Sequence, residues 1–74
     1  MSQLQINRSR GERAATTVCQ YGDDSPNDNL IDLLADAMHW CDQSGIDFHT
    51  ALCQAGRQYI YELNDEQNDE RRML

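Results

Sequence analysis

The stretch Asn29 to Leu63, NLIDLLADAMHWCDQSGIDFHTALCQAGRQYIYEL, decides the fold, because it carries most of the large apolar residues of the chain and is strewn with aspartates as well. From Asn29 the apolar positions Leu30, Ile31, Leu34, Met38 and Cys41 recur at helical spacing, and Asp28, Asp32, Asp36, His39 and Gln43 follow the opposite face. That pattern predicts an amphipathic helix. Gly45 suits a left-handed C-terminal cap, and Asp47 then opens a second helix, with Ile46 before it and Ala51 at the position of a hydrophobic staple. A link this short makes the two helices antiparallel. The second helix is predicted to bury a stripe of Phe48, Leu52, Ala55, Tyr59 and Leu63, with Ala55 and Gly56 offering small surfaces over which Leu34 or Met38 packs.

Upstream, GDDSPND at residues 22–28 is turn chemistry and fixes a boundary. Before it, Ser9 and Glu12 have the spacing of a capping box ahead of RAATTVCQY, which places Ala14, Ala15, Val18 and Tyr21 on one face of a further N-terminal helix. Residues 1–8 read as a mobile arm, and residues 65–74 as a charged end that frays, with Met73 and Leu74 able to reach an apolar surface. The expected fold is all-α: an antiparallel helical hairpin with an additional N-terminal helix, in one small domain.

The 74 residues carry thirteen acids against six arginines and no lysine, for a formal charge of −7. The charge is uneven: residues 21–70 hold twelve of the acids and only Arg57, and Arg8, Arg10, Arg13, Arg71 and Arg72 lie outside that span. Such a balance argues against direct binding of nucleic acid or of an anionic membrane face, and makes a basic protein surface the natural complement. The N-terminal residues lack the apolar run of a signal peptide, and no stretch is apolar enough to span a bilayer, so a cytoplasmic location is expected. Three cysteines, at 19, 41 and 53, fit no common disulfide framework and read as reduced thiols.

No constellation of residues points to catalysis, metal or cofactor. His49 and Cys53 lie four apart on one helix and could face a metal, but His39 and Cys41, two apart, point about 200° from each other. A thiolate nucleophile would sit among carboxylates that raise its pKa. There is no Gly-rich phosphate loop. The expectation is therefore a non-enzymatic protein without metal or cofactor.

The candidate binding residues are Asp28, Asp32, Asp36, Trp40, Asp42, Tyr61 and Glu62. Carboxylates four apart on a helix repel, by about 0.2–0.5 kcal/mol per pair, and only Asp28 and Asp32 stand near enough to the helix start for its dipole to offset that. Their rise of about 6 Å per step is comparable with the distance between phosphates along a strand, so the row can meet Lys and Arg side chains arranged for a DNA or RNA backbone. The bland alternative is a solvated face that keeps a small protein in solution. Trp40 reads as the edge of the core, with an exposed anchor as its alternative, and Tyr59 points inward by periodicity and Tyr61 outward.

The segment from Asn29 to Leu63 resembles small uncharacterised acidic proteins encoded on plasmids, integrative elements and phages of Gram-negative bacteria. The likeness lies in a Leu- and Asp-rich helix ending in HWCD, a Gly, a second helix opening on DF and closing on an aromatic and EL, and more loosely in RGERAA. The resemblance implies a mobile-element context in a bacterial host cell. Small acidic proteins of that setting are often inhibitors of host defence, including anti-CRISPR proteins that block the DNA-binding surface of a CRISPR surveillance complex. The residues named above rest on charge and periodicity alone. A plasmid or phage regulatory adaptor, binding a partner through an aromatic-apolar patch around Trp40 and Tyr61, is the rival expectation.

Overall fold

The computed structural model describes the backbone of residues 2–73 and the side chains of residues 2–68. Among the described residues the protein is all-α: α1 (Gln3–Gln20), α2 (Pro26–Ser44) and α3 (Phe48–Met73), with no strand.

α1 begins earlier than its sequence suggests. Ser2, not Ser9, is the cap: its Oγ accepts from the Gln5 backbone N–H (3.2 Å), and the Gln5 side-chain oxygen accepts from the Ser2 N–H (3.0 Å). This pair has the same S-x-x-E/Q spacing as Ser9 and Glu12, and its helix continues through both. Residues 3–8, expected as an arm, are therefore helical, and Asn7 explains why: its Nδ2 donates to the Glu62 carbonyl (3.2 Å) and the Glu66 carboxylate (3.0 Å) on α3. Arg10 pairs with Glu62 one turn further on. As the α1 numbers rise the α3 numbers fall, so these two helices run antiparallel along that seam.

The α1–α2 elbow turns on Asn29. Its side chain is buried, and its Nδ2 donates to the carbonyls of Val18 (3.0 Å), in the last turn of α1, and Gly22 (3.1 Å), just past the helix end. Ser25 caps α2 by accepting from the Asp28 N–H (3.2 Å), and Pro26 fills a first-turn position that needs no donor. At the other end Gly45 adopts φ 71°, the left-handed cap expected of it, and Ile46 donates back to the Cys41 carbonyl (2.9 Å). Asp47 then starts α3 as anticipated, its Oδ1 accepting from the Thr50 N–H (3.2 Å). Residues 65–68, expected to fray, continue α3; the side chains of Met73 and Leu74 lie outside the described residues.

The predicted core is corrected more deeply than the predicted ends. Leu30, Ile31, Leu34 and Met38 are exposed, as are Leu52, Ala55 and Tyr59; of the expected apolar stripes only Cys41 is buried, with Phe48 and Leu63 half-buried. Nor do Leu34 and Met38 pack over Ala55 and Gly56, since a Cβ built on Gly56 would meet no atom within 4 Å. What α2 turns inward is the row Asn29, Leu33, Ala37 and Cys41, buried at its ends and half-buried between. The outcome is an open arrangement, with a radius of gyration of 15.3 Å where a compact chain of this length would have about 11 Å.

Two substitutions test this account in opposite directions. Asn29→Ala strips the Gly22 carbonyl of its donor inside the elbow and is expected to cost about 1–3 kcal/mol. Gly11→Ala, where the new Cβ meets nothing within 4 Å on a helix, is expected to stabilise by about 0.5–1 kcal/mol. Urea midpoints at equal protein concentration should fall for the first and rise for the second; an unchanged midpoint for Asn29→Ala would remove Asn29 from its role.

Candidate binding surface

The sequence-predicted binding residues divide among four places. Asp28, Asp32 and Asp36 are all exposed on α2, and Trp40, four residues further, continues the same row for another turn. Each step of four advances the direction by about 40°, so the row winds slowly around the helix instead of running straight. Asp42 stands apart, about 200° from Trp40, beside a shallow cavity of about 420 Å³ at the α2–α3 turn that Met38, Cys41, Phe48 and His49 also line.

Glu62 belongs elsewhere. It is half-buried in the α1–α3 seam, where its carboxylate takes the Arg10 guanidinium and its carbonyl takes Asn7, so its charge is largely spent inside the molecule. Around it Asn7, Arg10, Gly11, Ala55, Tyr59 and Leu63 line a groove of about 450 Å³. Tyr61 lies on yet another face of α3, exposed beside Cys53, Gly56, Arg57 and Ile60. Trp40 is 57% exposed, against its reading as the edge of the core. Tyr59, expected to point inward, is 62% exposed along the groove.

Two of the three row carboxylates have internal partners that the sequence reading missed. Asp28 accepts from the Ser25 hydroxyl (3.0 Å), which couples it to the helix cap. Asp36 accepts from the Tyr21 phenol at the end of α1, tying the acidic row to the preceding helix. That hydrogen bond, together with the charges of Asp36 and Asp32, holds the Tyr21 pKa above its ordinary 10.0, because ionisation would place a phenolate beside carboxylates. The signal in the sequence was Tyr21 just ahead of the turn, read there as part of an apolar face. At the second turn the Thr50 backbone N–H, with His49, holds the Asp47 carboxyl below its ordinary 3.8.

Among the described residues no three of His, Cys, Asp and Glu converge on a point where a metal ion could sit. His49 stacks edge-on against Phe48, with ring centroids 5.9 Å apart. Cys19 and Cys53 are exposed free thiols and Cys41 is a buried one. No helix among the described residues is long and apolar enough to cross a membrane.

Both shifted groups give signed pH dependences. Tyr21 has a raised pKa, so the stability it contributes is complete below pH 10.0 and lost as pH climbs through the folded value. A phenolate absorbance titration of wild type minus Tyr21→Phe should therefore show a midpoint above 10.0, and Asp36→Asn should bring it down. Asp47 has a lowered pKa, so its contribution is complete above pH 3.8 and lost as pH falls through the folded value. Asp47→Asn keeps a capping oxygen without a titrating charge, and its melting temperature should fall less on acidification than that of wild type.

Comparison of the chain with protein-family models, with curated proteins and with solved structures finds no match.

Proposed function

We propose that this is a non-enzymatic binding protein of mobile-element origin that uses the acidic face of α2 to occlude a basic nucleic-acid-binding surface on a host defence complex, in the manner of an anti-CRISPR protein. One observation supports this reading above the others: Asp28, Asp32 and Asp36 stand exposed in a row on a helix, with no Arg or His partner among the described residues, at a rise of about 6 Å per step. Their hydroxyl partners, Ser25 and Tyr21, orient two of the carboxylates and leave their charge in place. Carboxylates so arranged offer Lys and Arg side chains the charge that phosphates otherwise supply. The scaffold in this reading is an α2–α3 helical hairpin braced by α1, working in the cytoplasm of a bacterial host, with no cofactor.

A second reading has its own support in the exposure of Trp40 and Tyr61, at 57% and 70%. Exposed aromatics are the side chains most often found at the energetic centre of protein interfaces. They favour a regulatory adaptor that binds a partner protein through an aromatic-apolar patch.

Paired baits separate the two. Wild-type protein and the triple variant Asp28→Asn, Asp32→Asn, Asp36→Asn are used to capture partners from bacterial lysate, and whatever is recovered is titrated with salt and with double-stranded DNA. The acidic-face reading expects the triple variant to bind at least about tenfold more weakly, wild-type affinity to fall with salt, and DNA to compete. A partner held equally by both baits, indifferent to salt and DNA and released by Trp40→Ala or Tyr61→Ala, establishes the adaptor instead.

A further inference from the structure

The molecule exposes 6200 Å², whereas a compact folded protein of 8.5 kDa exposes about 4,700 Å². Part of the roughly 1,500 Å² excess belongs to α3, which runs seven residues past Glu66, roughly 10 Å of helix. Of the eleven large apolar residues exposed among the described residues, four form one continuous stripe. Leu30, Ile31, Leu34 and Met38 fall within an arc of about 100° on α2, all between 41% and 55% exposed, and the stripe is closed only at its C-terminal end, where Cys41 is buried. Among the described residues Cys41 is the sole buried apolar side chain. A helix with four large aliphatic residues in water and one thiol as its core is half of an interface.

We propose that a second copy of this chain covers that stripe, the two α2 helices packing antiparallel about a two-fold axis close to Leu34. Three observations select a second copy as the occupant. The excess area left after the α3 overhang is of the order that each partner of a standard interface buries, roughly 800 Å² per chain. The stripe is self-complementary: Leu30 and Met38 lie four residues to either side of Leu34, so in an isologous antiparallel contact Leu34 meets its own copy while Leu30 meets the copy's Met38. The charge is placed to allow it as well, since each chain carries −7 but Asp28, Asp32 and Asp36 face away from the stripe and no charged residue lies within its arc. The dimer stands independently of the function proposed above. It would leave the acidic row of each copy on an outer face.

Sedimentation equilibrium of the full chain tests this directly. The expected mass is twice 8.5 kDa at micromolar concentration, with a melting temperature that rises with protein concentration and a dimer that added salt leaves intact or tightens by screening the like charges. Leu34→Glu and Ile31→Glu each introduce two symmetry-related carboxylates into the contact and should weaken dimerisation by at least about 100-fold. Should either variant lose its helicity at low concentration, recovery of helix on concentrating the sample still reports the dimer, because the chain without its partner has little core to hold it. Gln43→Glu, exposed about 180° from Leu34 around the helix, and the triple Asn variant of the acidic row should both keep the wild-type mass. A single-chain mass with a concentration-independent melting temperature overturns the proposal, and so does a dimer that survives both Leu34→Glu and Ile31→Glu.

Discussion

The buried amide of Asn29 sets the rest of the structure. By holding the Val18 and Gly22 carbonyls together it fixes where α1 stops and the angle at which α2 departs, and it commits one edge of α2 to face inward. From that edge the inward row proceeds in steps of four, through Leu33 and Ala37 to Cys41. Since each step turns about 40°, the row rotates by roughly 120° along the helix. Its start therefore faces α1 and its end faces α3, and α2 serves two partners at two ends without giving its full apolar face to either. Tyr21 reaches Asp36 for the same reason: the elbow brings the end of α1 against the flank of α2. The pocket for Asn29 is tight, because a Cβ on Gly22 would come within 3.1 Å of its Oδ1.

What the sequence made legible was local. Gly45 and Asp47 announce their helix ends through backbone chemistry that operates within a few residues, and the structure places each where that chemistry requires, whereas Pro26, read as part of a turn, opens α2. The start of α1 was misplaced because two S-x-x-E/Q pairs compete, and what favours the earlier one is remote: Asn7 bonds to α3 more than fifty residues away. The core was misread for a related reason. Apolar periodicity shows which face of α2 avoids water, and the face that meets α1 and α3 is chosen by the Asn29 elbow, which a hydropathy pattern scores as polar. Of the candidate binding residues, Asp28, Asp32 and Asp36 were legible as a row because helix geometry alone sets their spacing. The separation of Glu62 from that row was not, because Arg10 had first to be brought across from α1.

The two faces of α2 answer different demands. A carboxylate row keeps its charge only in water or against a basic partner, because burying it unpaired costs several kcal/mol per group. An aliphatic stripe has the reverse preference, and about 25 cal/mol per Å² favours covering it. On one helix these demands are compatible only if different surfaces satisfy them, as the arc between Leu34 and Asp32 permits. Salt should act on them with opposite sign, weakening contact made through Asp28, Asp32 and Asp36 while leaving contact made through Leu30, Leu34 and Met38 intact or stronger. Association that weakens with salt therefore belongs to the acidic face and association that persists belongs to the stripe, whichever molecule occupies each.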